Sequence, residues 1–523
     1  MTVAWAEKDE LRAAVPERLD VSGITLDPSQ QAALDAMRAG HNVFLTGEAG
    51  SGKSTVLRLF RQSAGAECVY VAPTGVAAVN IGGTTIHSLF QLKPVLLTPR
   101  DVGVLRGRRR ALLKKIRTVI VDEVSMMRSD LFCALDERLR EVADYADAGR
   151  PFGGRQIILV GDFQQLAPVV GKPAEKRWLI ENLGGIFAFQ TRLWQEAGFR
   201  CVNLSFPHRQ QNDASFLALL RSVRIGELDV PMAECGGRTV MEMLAERTGR
   251  GKEAEDGVPA VALCTTNREA DAINSAMCAA LESEPVLFRA SREGTFNERD
   301  FPTEEVLELK PGARVMILSN YHLPDGGFLY VNGDTGVFRG CRGRGPGRVA
   351  LVELDNGGGE VEVTPFRWSN YEYDFKYNTV TRRNDIERKE TGAFVQMPLR
   401  LAYAVTIHKA QGMTIARVNL KLGGGCFAHG QLYTALSRCR TLNGLHLDRK
   451  LHHEDLQQDA AVTEFYRRML NGELDAPPPA PESVPAPAEM VPMMVPAALL
   501  PAMERYLKKL LRRSGLSLES PDE

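Results

Sequence analysis

The chain encodes an α/β fold in which helices cover parallel sheets. Residues 43–46 (V-F-L-T), 68–71 (C-V-Y-V), 119–122 (V-I-V-D) and 157–160 (I-I-L-V) are short apolar runs of the kind buried on both faces of a sheet. Turn residues and helical periodicity follow these runs from Thr25 onward, and that alternation builds parallel strands joined by crossover helices. Gly, Pro, Asp or Glu closes each run at its carboxyl end, where α/β sheets place ligands.

A second set of runs, clearest at 262–265 (A-L-C-T) and 418–420 (V-N-L), predicts a second α/β domain. Between them the texture changes. Residues 310–394 are Gly-rich, with short alternating stretches at 314–317, 336–338, 348–352 and 361–363, which predicts a small β-barrel inserted in the second domain. The 523-residue length agrees, allowing roughly three to four domains at about 100–200 residues each.

Composition excludes several classes. Hydrophobic residues make up 44% and charged residues 25%, so buried cores are affordable in number and global disorder is not expected. Lys plus Arg total 64 against 65 Asp plus Glu, a net charge of −1, so a polyanion has to be met by a local patch. The nine cysteines contain no C-x-x-C pair, and neither a disulfide framework nor a zinc site is signalled. No basic-then-apolar leader opens the sequence and no run of 18 apolar residues occurs, which predicts a cytoplasmic, membrane-free protein.

Two charged segments stand out. Arg106, Arg108, Arg109, Arg110, Lys114 and Lys115 lie within ten residues that hold no acid, and they read equally as a phosphate-facing patch or a solvated loop. Residues 476–501 hold nine of the 28 prolines, an extended linker, and a short basic helix follows. Its Met503, Leu507, Leu510 and Leu511 share one face, with Arg505, Lys508, Lys509, Arg512 and Arg513 elsewhere, so it could dock a protein partner, contact DNA or only solubilise.

Chemistry begins at Gly47-Glu48-Ala49-Gly50-Ser51-Gly52-Lys53-Ser54, between the first strand and a helical run from Thr55. Strand, glycine loop and helix together make a P-loop: backbone N–H groups curl around phosphates at a helix N-terminus, Lys53 reaches the β- and γ-phosphates and the Ser54 hydroxyl sits on Mg²⁺. Asp122 and Glu123 close a second strand, supplying one acid for the metal and one to polarise a water. The expected activity is nucleotide hydrolysis with Mg²⁺.

The remaining motifs are L-D-P-S-Q at 26–30, A-P-T-G-V-A-A-V-N-I-G-G-T-T-I-H-S at 72–88, D-E-V-S-M, G-D-F-Q-Q-L-A-P-V, H-R-Q, T-I-H-K-A-Q-G-M-T and Y-T-A-L-S-R. Their order resembles superfamily 1 helicases of the B group, specifically the PIF-type DNA helicases, relatives of the RecD helicases. The likeness spans about residues 26–447, and a helix at 129–142 followed by P-F-G-G looks like the signature separating PIF-type members from other RecD relatives.

This resemblance implies an N-terminal extension (1–24), a RecA-like P-loop domain at 25–196 with a wedge insertion at about 91–115, and a second RecA-like domain at 197–470. The barrel takes the place of an SH3-like insertion at about 308–396, and a linker (471–501) and basic tail (502–523) follow. Gln30 would contact adenine, making ATP the nucleotide, with Gly47, Gly50, Ser51, Gly52, Lys53, Ser54 and Thr55 around its phosphates. Gln165 would sense the γ-phosphate, and Arg209 and Arg438 would act as arginine fingers. Pro73, Thr74, Gly75, Asn80, Thr84, His87, Thr406, His408 and Lys409 would line a single-strand channel, gripping phosphates without reading bases.

The implied protein is a monomeric motor moving 5′ to 3′ on single-stranded DNA and opening tailed or forked duplexes. Gln164 and Ala167 replace an aromatic and a proline of the family pattern, and Pro207 precedes His208-Arg209-Gln210. Rival expectations are a DNA-stimulated translocase that does not unwind, and an ATP-gated recruitment module working through the tail. RNA is an alternative track, because a phosphate-gripping channel need not distinguish the sugar.

Overall fold

The computed structural model describes residues 26–48, 50–204, 213–249, 260–322, 328–343, 348–355, 357–378 and 383–474. The chain divides into two compact units, Met1–Ala476 and Pro477–Glu523. The second unit lies outside the described residues, and with it most of the proline-rich linker and all of the basic tail; so does the N-terminal extension.

Helix α1 (Pro28–Arg38) leads into strand β1 (Val43–Gly47). Then come α2 (Lys53–Ser63), β2 (Cys68–Ala72), α3 (Gly75–Asn80), β3 (Thr84–Thr85), α4 (Ile86–Phe90), α5 (Gly107–Lys115), β4 (Thr118–Val121), α6 (Ser129–Glu141), β5 (Gln156–Val160) and, after further short helices, β6 (Arg200–Leu204). The six strands form one parallel sheet in the order β3-β2-β4-β5-β1-β6. All four sequence-predicted strands occupy its centre.

Alternation along each strand divides the core in two. Val43, Leu45, Ile120, Ile158 and Val160 face α1 and α2, packing on Leu34, Met37, Val56 and Phe60. Phe44, Val119, Val121, Ile157 and Leu159 face an aromatic core on the other side. There Phe163 and Trp194 lie 5.1 and 5.4 Å from Phe44, and Phe465 reaches in from the distant helix Ala460–Leu470 at 5.8 Å.

A second parallel sheet joins Ala404–Thr406, Val261–Cys264, Val418–Lys421 and Leu445–Leu447 in that order. Between its strands in sequence runs a five-stranded antiparallel sheet, ordered Glu360–Val363, Val349–Leu354, Thr335–Arg342, Arg314–Ile317 and Leu399–Leu401, with Phe338, Val352 and Leu399 in a core of its own. No helix among the described residues is long and apolar enough to cross a membrane.

Two expectations need revising. Residues 366–396 do not belong to that five-stranded sheet: Phe366–Asn378 and Arg383–Gln396 form a long hairpin, joined by Ser291–Gly294, that reaches the first sheet. The Tyr70 backbone N–H donates to the Tyr373 hydroxyl at 2.8 Å, and Arg388 donates to the Gly82 carbonyl while lying over the Tyr371 ring. The basic stretch is likewise not a loop but α5, seated by buried Leu112 and Leu113. Its cations meet acids: Arg108 pairs bidentately with Asp374 at 2.6 and 2.7 Å, Arg109 reaches Glu372, and Arg110 and Lys114 pair with Glu141 and Asp144.

Candidate nucleotide and strand-binding site

The carboxyl end of β1 turns directly into the glycine loop. Gly47 has φ 150°, and a Cβ there would come within 2.6 Å of both the Leu204 carbonyl and Ser51 Oγ, so no other residue fits the turn. Lys53 opens α2 and folds back over the loop, donating to the carbonyls of Gly47 at 2.7 Å and Glu48 at 3.0 Å. The Thr55 N–H is taken by the Gly52 carbonyl as the helix starts, and Gly50 and Gly52 keep positive φ. Ser51 Oγ is buried with no hydrogen-bond partner among the described residues, and a phosphate oxygen would satisfy it. Gln30 is buried beneath: its Oε1 accepts from the Asp27 N–H in a capping box and its Nε2 donates to the Ser51 carbonyl at 3.3 Å.

Asp122 and Glu123 follow β4, two strands away in the sheet. Glu123 sits at φ 52°, and its N–H donates to Asp122 Oδ1 at 2.9 Å. Burial raises Asp122 above the usual carboxylate range. Burial, together with the Asp122 charge, pushes Glu123 up to about 7, against the opposing charges of Arg438 and Lys53. Lys53 is itself pushed down by burial, with Asp162 the strongest charge holding it up. Hard oxygen donors at Ser54 and Asp122, with the Glu123 carboxylate next to Asp122 in sequence, fit Mg²⁺, which takes one or two carboxylates and leaves the rest of its sphere to water and phosphate. Among the described residues no cluster of three or more His, Cys, Asp or Glu forms a closed cage.

The residues expected to act as sensor and fingers come from different parts of the chain. Gln165 is buried beyond β5. Arg438 is 3% exposed, with Nε donating to the Thr434 carbonyl at 3.0 Å and Nη2 to Ser437 Oγ at 2.8 Å, and its charge acts on Glu123. Arg209 lies outside the described residues.

The residues expected to line a strand channel fall into two groups on two sheets. Pro73, Thr74 and Gly75 follow β2, where Thr74 Oγ1 caps α3 by accepting from the Ala77 N–H; Asn80 ends that helix. Thr84 is buried in β3, and His87 in α4 bonds the Leu92 carbonyl through Nδ1. Thr406, buried, ends its strand in the second sheet, with His408 half-buried and Lys409 exposed in the turn beyond. Burial lowers both histidines, favouring neutral rings. A carboxylate lies against Gly75: a Cβ there would meet Asp300 Oδ1 at 1.8 Å, so an acid from the second half of the chain abuts the start of α3.

The family model for PIF1-like helicases matches residues 25–232. The ATP-dependent DNA helicase Pif1 of Bdellovibrio bacteriovorus is 32% identical over 86% of this chain and 93% of its own length. The chain belongs to the PIF1-like helicase family. Bacteroides Pif1 crystallised with ADP-AlF4 is 32% identical and superposes with a TM-score of 0.75 over 86% of this chain and 98% of that one. Bacteroides Pif1 bound to single-stranded DNA, at the same identity and 86% and 98% coverage, gives 0.58. The chain spans 64% of the length of the human PIF1 helicase, at 33% identity.

Within this PIF1-like frame the structure adds residues that sequence reading passed over. Asp162, two residues beyond β5, pairs with Arg224 of the helix Ala214–Ile225 at 3.0 Å, both buried. Tyr466 joins them: its hydroxyl donates to Asp162 Oδ1 at 2.8 Å, accepts from the Phe163 N–H at 3.0 Å and meets Thr46 Oγ1 at 2.8 Å, while Arg224 lies over its ring. His429 Nε2 donates to the Phe163 carbonyl at 2.8 Å, and Arg221 pairs with Glu48 in the glycine loop at 2.8 Å. Gln411 Nε2 donates to Glu123 Oε2 at 2.9 Å. Asp162 and Gln411 were visible inside G-D-F-Q-Q and T-I-H-K-A-Q-G; Arg224 and Tyr466 carry no local signal, because only the tertiary fold brings them there.

Proposed function

We propose that this chain is an ATP-dependent DNA helicase that moves 5′ to 3′ on single-stranded DNA and opens tailed or forked duplexes. The observation that carries the reading is the meeting of two lobes at one carboxylate: Glu123 from the first sheet feels Lys53 and Arg438 and is bonded by Gln411, the last two from the far half of the chain. A nucleotide there would bridge both halves. The relatives' description as ATP-dependent DNA helicases, and the Bacteroides structures with ADP-AlF4 and with single-stranded DNA, support the choice of ATP and DNA.

Lys53 and the loop N–H groups hold the phosphates, Glu123 orients the attacking water, Gln165 reads the γ-phosphate, and Arg438 with Arg209 stabilises the charge that develops on it. Mg²⁺, held by Ser54 and Asp122, would neutralise phosphate charge. Closure around ATP draws Thr406, His408 and Lys409 toward Pro73, Thr74, Gly75, Asn80, Thr84 and His87, and hydrolysis releases them, so differential grip becomes movement. One observation favours translocation without strand separation: the cations of α5, in the place expected for a wedge, are paired with Asp374, Glu372, Glu141 and Asp144.

The test is ATP-driven unwinding of matched duplexes carrying a 5′ or a 3′ tail, with Lys53→Ala as control. Opening from the 5′ tail alone supports the reading. Opening from the 3′ tail overturns the direction, and DNA-stimulated hydrolysis without opening of either establishes the translocase.

A further inference from the structure

Gln411 belongs to the same turn as the strand-gripping residues yet touches the hydrolytic centre. The turn is tightly wound: the Ala410 N–H donates to the Thr406 carbonyl at 3.0 Å, Gln411 N–H to the His408 carbonyl at 3.3 Å, and Met413 N–H to the Ala410 carbonyl at 3.0 Å. Ala410 is fully buried, so the backbone between Lys409 and Gln411 has little room to absorb a displacement locally. Any shift that a phosphate imposes on Thr406, His408 or Lys409 is therefore passed to residue 411.

At the other end, the Gln411 amide occupies Oε2 of Glu123. The Glu123 backbone is held at φ 52° with its N–H on Asp122, so the direction of its carboxylate is set by what the side chain bonds. An oxygen already accepting from an amide is a poorer acceptor for the proton of an attacking water. Gln411 Oε1, meanwhile, is buried without a hydrogen-bond partner among the described residues. A buried amide satisfied at one end only is costly to keep, so little free energy is needed to move it.

We propose that Gln411 is a positioning residue that restrains Glu123 while the channel is empty and lets it go when a strand engages the 406–409 turn. This rests on the site assignment under Proposed function. It makes hydrolysis depend on DNA through one side chain bridging the two lobes, and it leaves ATP binding untouched, because Gln411 meets the water-orienting acid and not the phosphate loop.

The experiment measures steady-state ATP hydrolysis by full-length wild type, Gln411→Ala and Gln411→Met, each without DNA and with saturating oligo(dT). Methionine keeps the length and removes the donor. The expected result is a rise of about tenfold in DNA-free kcat for both variants, the scale of one hydrogen bond to a charged group, with KM for ATP and DNA-saturated kcat within about twofold of wild type. The ratio of stimulated to basal turnover then collapses. A merely structural role would instead lower both rates together. An unchanged ratio, or a proportional fall with and without DNA, overturns the proposal. Lys53→Ala run alongside separates the two failures: turnover surviving in it would discredit the site itself, whereas a dead Lys53→Ala with unaltered Gln411 variants would discredit only the restraint.

Discussion

The glycine loop and the Tyr466 junction meet at the end of β1 and are built in opposite ways. The loop is eight consecutive residues, Gly47 to Ser54, running from the last residue of β1 into the start of α2, with its ends set largely within the segment: Gly47 because a side chain would strike Ser51, Lys53 because it opens the helix. The junction draws Thr46, Asp162, Arg224 and Tyr466 from four remote stretches, and its bonds exist only when both halves are folded together. A contiguous motif can supply chemistry; a dispersed one reports whether the halves are assembled.

The largest effect expected is at the loop. Lys53→Ala should lower ATP turnover by about 100-fold or more while leaving nucleotide-free binding to oligo(dT) within about twofold, measured by phosphate release and fluorescence anisotropy. A parallel loss of both would erase the distinction between hydrolysis and grip. Next comes the junction: Arg224→Met strands the buried Asp162 carboxylate and should cost about 3–5 kcal/mol in urea unfolding, with part recovered in the Arg224→Met/Asp162→Leu double variant. Additive losses would show that the pair acts separately.

Acid sharpens the contrast further. Burial alone would raise Asp162, but the charge and hydrogen bonds of Arg224, with help from Lys53 and Tyr466, hold it below its ordinary value. A depressed carboxylate contributes stability that is full above about pH 4, the unfolded value, and is lost as pH falls through the folded one. The wild-type melting temperature should therefore drop more steeply as pH falls below about 4 than that of Arg224→Met; identical slopes would mean that the pair does not titrate with unfolding. Smallest is Tyr466→Phe, which keeps the ring against Arg224 and removes only the hydroxyl, for about 1 kcal/mol by the same unfolding assay. A loss as large as that of Arg224→Met would make the hydroxyl, not the ion pair, the centre of the junction.

This contrast also explains what the sequence disclosed. Runs such as 43–46 and 157–160 could be placed because burial on both faces leaves a continuous apolar signature, and the P-loop because its chemistry is local. The hairpin Phe366–Asn378 and Arg383–Gln396 was merged with the inserted sheet, although Tyr371, Tyr373 and Phe375 alternate with Glu372 and Asp374 at a strand's period. Its extent depended on a partner surface at Tyr70 that no local pattern announces. The sequence leaves α5 open between a phosphate-facing patch and a solvated loop, because only Leu112 and Leu113 among its residues are buried, too few for a helical stripe. Arg224 and Tyr466 were missed for the same reason in stronger form: a lone arginine and a lone tyrosine acquire meaning only from Asp162, 62 and 304 residues away along the chain.

That separation has a consequence for how the protein is made. At about 5–20 residues per second, Tyr466 leaves the ribosome roughly 15–60 seconds after Asp162. For that interval the nascent first sheet holds its glycine loop and the Asp122–Glu123 pair, but Asp162 lacks the Tyr466 hydroxyl and the aromatic core lacks the ring of Phe465. The last helix among the described residues, Ala460–Leu470, thus completes the core of the first sheet, and a chain released before it would carry the glycine loop in a domain that has not finished folding.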